Sequence, residues 1–172
     1  MKQEFLLVSA SLQDIIRYHL HVHGDLSDFA DKARVHINDT HPALAVAELQ
    51  RLLVGDYNFS WDYAWEIVKT CCSFTNHTVL RESLEEWNQQ RMESLLPRQY
   101  RIIERINLEC CNAVRRKFPN DESRVRRMSI LEEGQLHMAN LALFGSHTVN
   151  GVAELHTQIL QHSVFKDFYE MN

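Results

Sequence analysis

Residues 34–53, RVHINDTHPALAVAELQRLL, decide how the rest of this chain is read. Val35 and Ile37 alternate with polar residues as a short strand does, and Asn38-Asp39-Thr40-His41 interrupts them. Pro42 then stands where a first helical turn tolerates a missing N–H. Behind it, Leu44, Val46, Leu49, Leu52 and Leu53 recur at helical spacing and predict a helix ending near Gly55. A turn needs no imidazole, and a helix cap needs only one of those four polar side chains. The surplus marks the turn as a candidate site.

Two other stretches repeat the arrangement. TNHT (residues 75–78) closes the apolar, β-rich TCCSFTNH and precedes a predicted short helix over Val79–Trp87. SHTVNG (residues 146–151) reads as a loop between the apolar run Leu136–Phe144 and a last helix. Each carries a histidine and an asparagine: Asn38 with His41, Asn76 with His77, His147 with Asn150. Strands alternating with helices indicate an α/β class with a largely parallel sheet. In such sheets ligands bind beyond the carboxyl ends of the strands, so the three loops are expected on one cleft edge. Imidazoles, amides and the one carboxylate of Asp39 suit a ligand rich in hydroxyl groups. Caps and Asx-turns would use the same residues without any ligand.

The remaining helices follow from periodicity. Gln3–Val22 reads as one helix broken by Gly24, Ser60 as an N-cap, and Pro97 as the start of the longest helix, running to about Phe118. RRMSILEE (126–133) reads as a strand. Leu136–Phe144 fits a buried helix or a buried strand equally.

Composition narrows the function classes. With 172 residues, 45% hydrophobic and 24% charged, the chain is sized for one ordinary globular domain. No apolar run approaches the roughly 20 residues that span a bilayer, and the N-terminus lacks a signal-peptide pattern. Cys71-Cys72 and Cys110-Cys111 have neither zinc nor redox spacing, so reduced buried thiols and a cytoplasmic setting are expected. A net charge of −5 argues against a nucleic-acid partner. The basic run from Arg115 to Arg127 is interleaved with acids and reads as a solvated face, although RVRRMS would also suit a basophilic kinase. His19, His21 and His23 invite a metal reading, but no matching Cys or His pair lies nearby in sequence, and no metal site is expected. Nucleotide-loop, nucleophile-elbow and HExxH motifs are absent. Glu85-Glu86 and Glu132-Glu133 are adjacent and diverge, which gives a two-carboxylate hydrolase no anchor. Trp61, Trp65 and Trp87 suit core as well as a sugar platform.

INDTHPALAVAELQRLL, SFTNHTVL, ESLEEW, LLPRQYRIIERIN, RMSILEEG and SHTVNGVAELHTQIL with FKDFYE closely resemble, in this order, the glycogen (α-glucan, maltodextrin) phosphorylase family. The resemblance runs from Gln3 to Asn172. It implies part of a Rossmann-like domain of a two-domain, GT-B type glycosyltransferase, residues 1–172 being the later part of the N-terminal catalytic domain. It further implies phosphorolysis of the terminal α-1,4 bond of a glucan to glucose 1-phosphate, in a cytoplasmic, allosteric homodimer of glycogen metabolism. The implied cofactor is pyridoxal 5′-phosphate, whose phosphate transfers the proton; the lysine and the phosphate-binding residues that serve it find no match here.

By the same resemblance His77 is the catalytic position, its backbone carbonyl facing the charge that develops at the anomeric carbon. Asp39 and His41 line the sugar pocket, Thr78 flanks His77, and Val152 forms the floor. Asn38, Asn76, His147 and Asn150 match the motifs as loop architecture. Arg81 and Asn88 depart from the family, which usually has proline at both positions, and are expected to loosen the boundary beside His77. A fragment inactive alone is the expected reading. A standalone glucan-binding remnant and a helical partner using the first helix are its alternatives.

Overall fold

The computed structural model describes residues 1–171. In chain order it comprises α1 (Lys2–His23), α2 (Phe29–Lys32), β1 (Val35–Asn38), α3 (Leu44–Arg51), α4 (Trp61–Cys71), β2 (Cys72–Asn76), β3 (Glu86–Asn88), α5 (Gln89–Leu95), α6 (Pro97–Lys117), α7 (Glu122–Met128), β4 (Leu131–Glu132), β5 (Gln135–His137), α8 (Met138–Phe144), β6 (Thr148–Gly151), α9 (Glu154–His162) and α10 (Lys166–Met171). β1, β2 and β6 form a parallel sheet in that order, pairing Ile37 with Phe74 and Phe74 with Val149. The expected α/β class and parallel sheet are therefore present. A second sheet, β3-β5-β4, is antiparallel and was not expected.

Ile37 and Phe74, with no exposed surface, anchor the parallel sheet. α3 packs against α1, α4, α6 and α8. Every residue from Leu44 to Gln50 is buried, so the predicted one-sided stripe is in fact a helix enclosed on all sides. Arg51 ends it, and Leu52–Asp56 widens into a π-turn that stops one residue past Gly55. α6 begins with Pro97 in its first turn and buries Ile103, Ile106, Cys110 and Val114 on one face. Ser60 caps α4 by accepting a hydrogen bond from the Tyr63 N–H.

Three local expectations are corrected. Val79–Trp87 is not a helix: a 3₁₀ turn at Arg81–Ser83 leads into β3, which pairs with a strand almost 50 residues away. RRMSILEE is mostly not a strand, because α7 continues to Met128 and only Leu131–Glu132 is extended. Asp121 caps α7, accepting from the Arg124 N–H at 3.0 Å. Leu136–Phe144 resolves into the end of β5 followed by α8.

Half of the basic run is paired: Arg115 with Glu122, Arg124 with Asp167 and Glu170, Arg127 with Asp167. Ser129 is buried, which leaves the kinase-like motif without an accessible hydroxyl in the folded chain. Trp61 and Trp65 are buried, the former under the Arg105 guanidinium at 3.9 Å, so both belong to the core. All four cysteines are free thiols. Burial pushes the Cys71 thiol up to about 11 and raises Cys72 and Cys110 further still, so these three are inert as nucleophiles.

Candidate functional site

In a parallel sheet all carboxyl ends lie on one side. The pairing of Asn38 with Thr75, and of Asn76 with Gly151, places the exits of β1, β2 and β6 side by side. Asp39, Thr40 and His41 leave the first strand, His77 and Thr78 the second, Val152 the third. Asp39, His41, His77, Thr78 and Val152 thus stand at neighbouring strand exits, whereas the third loop brings Asn150 there without His147.

The edge is held by bonds between neighbouring strands. The Asp39 N–H donates to the Thr75 carbonyl at 2.8 Å. Asp39 adopts φ +72°, a left-handed conformation that aspartate tolerates better than most residues, and its Oδ1 accepts from the Thr40 N–H at 2.6 Å. His77 Nε2 lies 2.6 Å from Asn38 Oδ1, which ties the second loop to the first strand. Thr75 Oγ1 lies 2.7 Å from His36 Nε2 and donates to Asn150 Oδ1 at 2.9 Å. Asn76 is fully buried; its Oδ1 accepts from the Thr78 N–H at 3.0 Å while its Nδ2 finds no partner. The roles expected of Asn38, Asn76 and Asn150 as architecture agree with these bonds.

Exposure grades along the edge. His41, His77 and Val152 are exposed, and Asp39 and Thr78 half-buried. The His77 carbonyl accepts no hydrogen bond among the described residues. A cavity of about 780 Å³ lies elsewhere, between α7, the second sheet and α10, and includes none of the five. What these residues form is an open rim.

His147 is a correction. SHTVNG is not one loop, since Thr148–Gly151 is the strand β6 itself. The His147 N–H donates to the Cys72 carbonyl, at the start of β2. His147 therefore sits at the opposite end of the sheet from Asn150, roughly 10 Å away at the usual rise per residue. Arg81 and Asn88, expected to loosen the neighbourhood of His77, are both accommodated. Arg81 opens the 3₁₀ turn, and Asn88 caps α5 by accepting from the Arg91 N–H at 3.1 Å.

Sequence reading passed over other residues. His36 and Thr75 were not singled out, although strand alternation puts side chains on a common face. Glu85 was set aside because Glu86 diverges from it, yet the fold brings it to Glu4. Burial, and then the Glu4 carboxylate, raise the Glu85 carboxyl, while His41 opposes the shift. Gly151, His156 and Thr157 form the third corner: the Gly151 N–H donates to Thr157 Oγ1 at 2.9 Å and the Val152 N–H to His156 Nδ1 at 3.1 Å. A Cβ at Gly151 would come within 2.7 Å of His156 Nδ1 and 3.0 Å of the Thr157 nitrogen. Gly151→Ala is accordingly expected to cost about 1–3 kcal/mol through overpacking. The urea unfolding midpoint measures it, and an unchanged midpoint would mean that α9 yields freely.

A family model described as carbohydrate phosphorylase matches residues 1–172. The chain is similar to the brain form of glycogen phosphorylase from Bos taurus, 48% identical over 182 residues that cover 99% of this chain and 22% of the relative. The muscle form from Mus musculus is 47% identical and the brain form from Homo sapiens 48%, each with the same coverage. The chain thus spans 22% of the length of the curated relatives it matches.

Proposed function

This chain belongs to the carbohydrate phosphorylase family, and from that premise we propose that residues 1–172 form part of the N-terminal catalytic domain of an α-1,4-glucan phosphorylase. The observation that carries the reading is the rim itself: three parallel strands deliver Asp39, His41, His77, Thr78 and Val152 to one edge. The 22% share of each relative's length supports a wall of a larger pocket completed by other parts of a longer protein.

In the proposed reaction the terminal α-1,4 bond breaks at the anomeric carbon. An oxygen of inorganic phosphate bonds to that carbon with retention of configuration, and the proton that the phosphate gives up ends on the departing chain's 4-oxygen, restoring its hydroxyl. Positive charge develops at the anomeric carbon in between. The His77 carbonyl, free of internal hydrogen bonds, turns its negative end toward that charge, and a dipole fixed beforehand needs no reorganisation during the step. The bond to Asn38 Oδ1 holds the loop that carries it. Asp39 and His41 take sugar hydroxyls, Thr78 flanks His77, and Val152 offers an apolar floor.

Pyridoxal phosphate, which the family implies, does not fit the described residues. A Schiff-base lysine needs a desolvated pocket, whereas Lys2, Lys32, Lys117 and Lys166 are exposed and Lys69 pairs at the surface with Glu66. The cofactor would be held outside these residues. A homodimer, allosteric control and cytoplasmic residence belong to the same reading. No helix among the described residues is long and apolar enough to cross a membrane.

The test is an incubation of the purified native gene product with a maltooligosaccharide, with and without inorganic phosphate. Phosphate-dependent release of glucose 1-phosphate is expected. Sugar binding without that product would leave a glucan-binding remnant in place of the enzyme.

A further inference from the structure

The end of α1 carries a side-chain group that the rim does not use. His19 and His23 lie one helical turn apart, so their rings share a face and stack with centroids 4.3 Å apart. Gly24 follows in a left-handed conformation (φ +86°), its N–H donating to the Leu20 carbonyl, and the chain turns back toward the helix. That return brings Asp28 against both rings: His19 Nε2 is 3.0 Å from Asp28 Oδ1, and His23 Nδ1 is 3.3 Å from Asp28 Oδ2. One ligand atom from each of the three residues lies within 4.8 Å of the other two. The sequence alone offered the two histidines no third partner.

The contacts are not ordinary hydrogen bonds. His19 is 5% exposed, and its Nε2 and Asp28 Oδ1 are both buried without a hydrogen-bond partner although they touch. A simple ion pair would align an N–H with the carboxylate, since buried polar groups are rarely left unpaired. Two buried polar atoms that touch out of line with a hydrogen bond are reconciled by a cation between them.

We propose that His19, His23 and Asp28 bind a divalent transition-metal ion, with zinc the best fit. Zinc takes imidazole nitrogen and carboxylate oxygen at about 2.0–2.2 Å in a tetrahedron, which sets neighbouring ligand atoms roughly 3.3 Å apart. The two observed contacts, 3.0 Å to Asp28 Oδ1 and 3.3 Å to Asp28 Oδ2, lie just under and at that spacing. Two imidazoles disfavour calcium and magnesium, which prefer all-oxygen shells. With three protein ligands, the fourth position falls to water. The edge of Phe29, fully buried and 5.1 Å from the His19 ring, fixes the orientation of that ligand. The ion would clasp the α1–α2 turn shut, a structural role independent of phosphorolysis.

The probe is zinc chloride, titrated into chelator-stripped native gene product in competition with a chromophoric chelator. Uptake at this site is expected to weaken at least tenfold in His23→Gln and in Asp28→Asn. Neither residue is in the core, and circular dichroism confirms that both variants fold. His21→Gln, on the opposite, exposed side of the helix, is expected to bind as the parent does. Zinc is further expected to raise the melting temperature of the parent and not of the two ligand variants. No zinc uptake by the parent, or uptake unchanged in both ligand variants, overturns the proposal.

Discussion

Glu48→Ala is expected to destabilise the protein by about 3 kcal/mol, at the low end of the range for breaking a buried ion pair. Glu48 is 1% exposed at the centre of the enclosed helix α3. Its carboxylate accepts from Ser9 Oγ of α1 at 2.8 Å, from Gln99 Nε2 of α6 at 2.7 Å and from Arg51 Nε at 2.9 Å. The substitution strands three donors on three helices and opens a cavity among them. Arg51 keeps Asp56 as a second partner, which holds the loss toward the low end. The hydrogen bond to Glu48, ahead of that to Asp56, raises the Arg51 guanidinium. Glu48→Gln preserves the shape and part of the bonding and is expected to lose less, about 1–3 kcal/mol. Urea unfolding of the two variants beside the parent measures both. A loss under 1 kcal/mol for the alanine variant would show that water reaches the network and repairs it.

Glu48 also shows where a sequence becomes opaque. In ALAVAELQRLL it occupies a polar position of an amphipathic pattern, and nothing local says that α6 closes over it. Its burial depends on partners such as Gln99, 51 residues further along the chain. The same limit explains the other corrections. Glu86–Asn88 becomes a strand because Gln135–His137 lies beside it, and a three-residue strand carries too little alternation to be read alone. Arg126–Met128 stays helical because Asp121 caps α7 and Asp167 of α10 draws in Arg124 and Arg127. Asp28 reaches His19 through a reversal at Gly24 that sequence spacing does not disclose.

What was legible rests on stronger local signals. The alternation of Val35 and Ile37, and the apolar run before Asn76, mark strands whatever surrounds them. Polar groups stranded directly after such strands are costly unless bonded or functional, which is why Asn38, Asp39, Asn76 and His77 stand out. His147 misled because the same residue types precede β6 as well as follow it. Residue type marks a strand end; only pairing tells which end.

The largest effect on activity is expected at His77. If its loop presents a carbonyl to the anomeric carbon, the position of that oxygen matters more than the imidazole itself, and the imidazole is what fastens the loop to Asn38. Truncation in His77→Ala releases the fastening, and a displacement of the order of 1 Å is enough for a loss of about 100-fold in turnover. The loss should fall on kcat more than on KM, because a group aimed at developing charge contributes little to ground-state binding. Stability should hardly move, by about 0.5 kcal/mol or less, since the side chain is exposed. Asn38→Ala removes the other end of the same bond and is expected to lower kcat in the same direction while leaving every sugar-facing residue in place. Steady-state phosphorolysis by the native gene product, with a melting curve for each variant, separates these effects. A kcat within threefold of the parent in His77→Ala would remove His77 from the mechanism. A kcat lowered in His77→Ala but untouched in Asn38→Ala would mean that the imidazole acts on the sugar directly, and the 2.6 Å bond would then be scaffolding.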